Sequence, residues 1–100
     1  MIIHRLYVHL ADNEWGSAIM EEIAQHEAKK YQDKENLLIT VYEHGGWSLS
    51  WLFPQGIIVG SANDMAVFNP EASAWREKAK EATVEYLGSI RREVSSNGNA

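Results

Sequence analysis

Leu37-Leu38-Ile39-Thr40-Val41-Tyr42-Glu43-His44-Gly45-Gly46-Trp47-Ser48-Leu49-Ser50-Trp51-Leu52-Phe53 holds two alternating runs, rich in β-branched and aromatic residues, around a Gly-Gly turn. The length of that turn decides which side chains share a face. A two-residue loop, Gly45-Gly46, would pair His44 with Trp47. It would also set Leu37, Ile39 and Val41 on the same face as Ser48 and Ser50. A three-residue loop, His44-Gly45-Gly46, with Gly46 at the left-handed bulge position, pairs Glu43 with Trp47 instead. Leu37, Ile39, Val41, Trp47, Leu49, Trp51 and Phe53 then form one apolar face, and Thr40, Tyr42, Ser48 and Ser50 lie on the other. Only this register gives a half-buried sheet, so the sequence predicts it.

Upstream, residues 2–10 alternate as a strand. Ile2, Leu6, Val8 and Leu10 lie on one face with His4 among them, and Ile3, Arg5, Tyr7 and His9 lie on the other. Asp12 or Asn13 then offers an N-cap, with Glu14 in the first turn. From Trp15 the period becomes helical, through Ile19, Met20, Ile23, Ala24, Ala28 and Tyr31, until Gln32-Asp33-Lys34 ends the helix. Downstream of the hairpin, Pro54-Gln55-Gly56 reads as a tight turn and Ile57 to Ser61 as a strand. Ser61 to Asp64 reads as a loop, with a short further strand over Met65 to Phe68. Asn69-Pro70-Glu71 is a strong helix start, and the stripe Ala72, Trp75, Ala79, Ala82, Tyr86, Ile90, Val94 carries the helix to about Val94.

The predicted order is therefore β-α-β-β-β(-β)-α. It implies an α+β, two-layer sandwich: an antiparallel meander sheet with both helices on its one apolar face. A single domain over residues 1–94 and a flexible tail over 95–100 are expected. The tail, Ser95-Ser96-Asn97-Gly98-Asn99-Ala100, has no apolar anchor.

Composition narrows the functions. With 45% hydrophobic residues, four Trp, four Tyr and two Phe, 100 residues supply one core. The absence of cysteine excludes disulfides, thiolate catalysis and Cys-based zinc sites. A net charge of −5 disfavours direct binding of nucleic acid. Residues 12–27 hold Asp12, Glu14, Glu21, Glu22 and Glu27 without a Lys or Arg, which makes the first helix an acidic surface. No apolar run nears the ~20 residues of a membrane span, and no basic leader is evident, so the cytoplasm is the expected compartment.

No motif of catalysis stands out. Glu22 and His26, four apart on a helix, are only two donors and make no metal site. His4, on an apolar face, reads as a satisfied core or rim residue, and His44 as a turn residue. No Gly-x-Ser-x-Gly elbow surrounds Ser48 or Ser50, and Gly45-Gly46 and Gly56 to Gly60 lack the spacing and Lys of a phosphate loop. No catalytic residue, metal or cofactor is expected.

What remains is a surface. Arg5, Tyr7, His9, Thr40, Tyr42, Ser48 and Ser50 would share the open sheet face, with Glu21 and Glu22 on the acidic helix as an electrostatic guide. The sequence thus points to a small acidic protein-binding module without enzymatic activity. Class-level analogy makes it an inhibitor or immunity-type protein of phage or mobile-element origin that occludes a partner surface. The partner would be a protein, basic or nucleic-acid-binding, and a homodimer through the open face is a related form. Two alternatives are a ligand-binding or catalytic domain using His4 or His9 between sheet and helices, and a homodimeric structural accessory protein.

Overall fold

The hairpin forms with the register that its alternation predicts. In the computed structural model, which describes residues 1–11, 16–44, 46–61 and 70–93, β2 (Leu37–Tyr42) pairs antiparallel with β3 (Ser48–Phe53). Leu37 faces Phe53 and Tyr42 faces Ser48. Glu43 donates its N–H to the Trp47 carbonyl at 2.9 Å, and Gly46 donates to the Glu43 carbonyl at 2.9 Å. Gly46 has φ 102°, a conformation that strains any residue carrying a Cβ. The second turn, closed by the Gly56 N–H on the Leu52 carbonyl at 2.6 Å, leads into β4 (Ile57–Ser61), antiparallel to β3.

The rest of the sheet departs from a meander. β1 (Ile2–Leu10) lies parallel to β2, reached through α1 (Ser17–Ala28) and a single 3-10 turn (Lys29–Tyr31). Beyond β1 a fifth strand, β5 (Thr83–Arg92), also runs parallel to it. The sheet is mixed, five-stranded and ordered β4-β3-β2-β1-β5, in an α+β chain with two helices among the described residues.

Three expectations are corrected. First, α1 starts at Ser17 with Gly16 as its N-cap and no side-chain cap, later than Asp12 or Asn13 would set it. Asp12 to Trp15 lie outside the described residues, as do the short strand expected over Met65–Phe68, the Asn69 cap and the tail.

Second, α2 (Pro70–Ala79) does not continue to Val94. It closes with the Ala82 N–H on the Ala79 carbonyl at 3.1 Å, and residues 83–92 are extended. Thr83-Val84-Glu85-Tyr86 is β-branched and aromatic, Gly88 is costly in a helix, and β1 would otherwise leave a long edge unpaired. Tertiary pairing overrides a helical stripe. β5 spans the whole of β1: Thr83 donates to the Met1 carbonyl at 2.9 Å, and Ala11 donates to the Arg92 carbonyl at 2.9 Å.

Third, the helices lie on opposite faces, giving three layers. Against α1 pack Leu6, Val8, Leu10, Leu37, Ile39, Val41, Leu49, Trp51 and Phe53, with Trp47 half-buried at the margin. Against α2, through Ala72 and Trp75, pack Ile3, Leu38, Leu52 and Val59. Handedness explains this. The step from β1 to β2 moves toward one edge of the sheet and the step from β4 to β5 moves toward the other. Two right-handed crossovers then take their helices over opposite faces. The α1 layer is also tied to β5 by charge. The buried Glu27 carboxylate accepts from Lys30 Nζ at 2.9 Å and Arg92 Nη1 at 3.3 Å.

Trp51, 1% exposed under α1, is the largest fully buried side chain among the described residues. Trp51→Ala is expected to cost ~3–5 kcal/mol, read as a lower urea midpoint. Trp75→Ala, at the half-buried margin of the smaller α2 layer, is expected to cost less. Equal losses would contradict the unequal division of the core.

Candidate functional site

The α2 face changes character along its strands. At the amino end of β1 it is apolar and covered by α2. Toward the carboxyl ends it becomes aromatic and polar. β1 contributes Arg5, Tyr7 and His9, β2 contributes Thr40 and Tyr42, β3 contributes Ser48 and Ser50, and β5 contributes Tyr86, Ser89 and Arg91. The registers place Arg5 beside Tyr86, Tyr7 beside Thr40 and Ser89, and His9 beside Tyr42 and Arg91.

Four rings form a row across three parallel strands. The Tyr86 and Tyr7 centroids are 6.0 Å apart, Tyr7 and Tyr42 5.8 Å, and Tyr42 and His9 5.0 Å with their planes within 8°. The guanidinium carbon of Arg5 lies 4.7 Å from the Tyr7 centroid, a cation–π distance. Arg5 Nη2 donates to Thr40 Oγ1 at 3.4 Å, and the Thr40 and Ser50 hydroxyls hydrogen-bond at 2.7 Å. Arg5 is thus held from two sides, by a ring and by a hydroxyl pair beneath it. Tyr86 and His9 are exposed; Tyr7, Tyr42 and Arg5 are half-buried. Arg5, Arg91 and the His9 imidazole are the ionisable cations of this half of the face, and none of the paired strand positions on it is a carboxylate.

The structure brings together Arg5, Tyr7, His9 and Tyr42 as one accessible patch. Thr40 and Ser48 are buried and Ser50 is half-buried, so these three support the patch from below. Glu21 and Glu22 ride on α1, in the opposite layer. A single footprint therefore does not take in both the rings and the acidic helix. His4 lies on the α1 face and His9 on the α2 face, so the two imidazoles do not converge. His4 Nδ1 sits 3.1 Å from the Glu35 carbonyl oxygen, and its Nε2 3.5 Å from Glu85. Among the described residues no three His, Cys, Asp or Glu side chains gather as metal ligands, and no helix is long and apolar enough to cross a membrane.

Sequence reasoning missed Tyr86, Ser89 and Arg91, because it placed them on a helix. Their signal was the β-rich run from Thr83 to Tyr86. Fold and site together define a mixed α+β domain with an aromatic and cationic sheet surface. No protein-family model, curated protein or solved structure matches the chain.

Thr40→Val removes the hydroxyl that partners both Arg5 and Ser50 while keeping the volume. It is expected to cost ~1–2 kcal/mol in denaturant unfolding, because buried polar groups lose their partners. An unchanged midpoint would show that Arg5 holds its place without this hydroxyl pair.

Proposed function

We propose that the chain is a non-enzymatic protein-binding module, of the inhibitor or immunity type, that occludes a partner surface with the part of the α2 face that α2 leaves uncovered. The row Tyr86, Tyr7, Tyr42, His9 carries this reading. Tyrosines on strands present large amphipathic area with two side-chain torsions each, so little entropy is lost when they are buried. Arg5, stacked and hydrogen-bonded, is already ordered for contact. Arg5 and Arg91 favour a partner surface with carboxylates around an apolar depression. The expectation of a basic partner rested on Glu21 and Glu22, and those now face away from the rings.

Affinity capture from the native host, followed by binding kinetics on the recovered protein, tests the assignment. Tyr7→Ala and Tyr86→Ala, each confirmed folded, are expected to raise the dissociation rate by about thirtyfold at a hot spot of ~2 kcal/mol. Charge reversal at Glu21 and Glu22 is expected to alter only the association rate and its salt dependence. The opposite pattern would move the contact to α1.

A second reading, a homodimer, is favoured by β5. It is an edge strand of ten residues without Pro or Lys, with Val84 56% and Tyr86 61% exposed. Such an edge is a template for pairing. Sedimentation is expected to show concentration-dependent dimer that Val84→Lys abolishes; a monomer at every concentration rejects this reading.

A further inference from the structure

Three parallel strands, β2, β1 and β5, end side by side, and the path of the chain reverses at β1. One neighbour is reached through α1 over one face, the other through α2 over the opposite face. In open α/β sheets, such a reversal leaves a crevice outside the carboxyl ends of the strands, and ligands bind there. In this chain a cleft of about 440 Å³ occupies that place. Its volume falls within the ~300–1,000 Å³ of small-molecule sites.

The lining is rich in donors. Arg91 from β5 supplies a permanent charge and a planar fork of N–H groups, and Ser89 supplies a hydroxyl. His9 and Tyr42, stacked with nearly parallel planes, form one wall, and His44 stands at the turn beyond β2. The one carboxylate in the lining, Glu43, is buried and has an interaction of its own. Side-chain donors from Arg91, Ser89, His9, His44 and Tyr42 thus gather at the carboxyl ends of three parallel strands in an otherwise acidic chain.

We propose that this cleft binds the oxyanion headgroup, phosphate or carboxylate, of a small molecule, with Arg91 as its principal ligand. Fork-shaped guanidinium donors match the paired oxygens of either group. The site goes beyond partner recognition and stands without it, although the two surfaces share His9, Tyr42, Ser89 and Arg91.

The test is an amide NMR titration of the full chain with inorganic phosphate and, separately, sodium acetate, at ionic strength held constant with sodium chloride. Saturable shifts are expected at His9, His44, Ser89 and Arg91, with none in chloride alone. Tighter binding of phosphate assigns the headgroup to a phosphoryl compound, and tighter binding of acetate assigns it to a carboxylate. Arg91→Gln is expected to weaken the binding at least about tenfold. Arg91→Lys, which keeps the charge and loses the fork, should fall between. Arg76→Gln, on the exposed surface of α2, should titrate like the wild type. Tyr86→Ala, outside the cleft lining, should also keep its phosphate response even where it loses a protein partner. That separates failure of this inference from failure of the binding-module reading. No saturable shift with either anion, or an Arg91→Gln titration matching the wild type, overturns the proposal.

Discussion

Everything in this fold hangs on β1 having a strand on each edge, β5 along its whole length and β2 from His4 to His9. Its backbone groups are satisfied by β2 on one side and β5 on the other. The same strand also serves both layers. Leu6, Val8 and Leu10 anchor the α1 core, and Ile3 anchors the α2 core, while Arg5, Tyr7 and His9 build the surface beyond α2. Because β1 is an interior strand of the sheet, the positions of these three side chains are fixed by ladders on two sides and not by a loop. A recognition surface on such a strand starts rigid, which lowers the ordering cost of any contact it makes.

The two cores do unequal work. The α1 layer collects buried Leu, Ile, Val, Trp and Phe from β1, β2 and β3 and closes over them with a helix whose buried residues are Met20, Ile23, Ala24 and Glu27. The α2 layer is smaller and ends before the carboxyl ends of the strands. Glu27 joins the larger core to β5 through Arg92, so the late-arriving strand is fastened by charge as well as by its ladder. A buried carboxylate of this kind is costly without its partners, so it favours the one arrangement in which Arg92 and Lys30 both reach it.

How much of this was legible in the sequence follows from range. The hairpin was readable because turn chemistry and side-chain alternation are local, and together they left only one sensible register. Arg5, Tyr7, His9 and Tyr42 were readable as a shared surface for the same reason. The parallel pairing of β1 was not, since nothing local in residues 2–10 names a partner dozens of residues away. The placement of the helices depended on sheet order, so one unread strand moved a whole helix to the other face. Thr40 and Ser48 were polar positions on a face expected to be open. Their burial beneath larger neighbours is a property of packing that alternation does not report.

The illegibility of β5 has a specific cause in its bulge. Between Tyr86 and Gly88 the ladder to β1 slips by one residue, with Gly88 at φ 149°. Up to Tyr86 the even-numbered side chains point to the α2 face; from Gly88 onward they point to the α1 face. The strand is two half-strands of opposite phase, spliced at a glycine. Were the phase continuous, Ser89 would stand over Val8 in the apolar layer, Ile90 would emerge among the rings, and Arg91 would take the place of Arg92 above Leu10. The splice lets one ten-residue segment offer a tyrosine and an arginine to the same surface while keeping Leu87 and Ile90 in the core. It follows that the length of β5 is under tighter constraint than its composition. Loss or gain of one residue near Gly88 would exchange the inside and outside of half the strand, a rearrangement that no single side-chain replacement there produces.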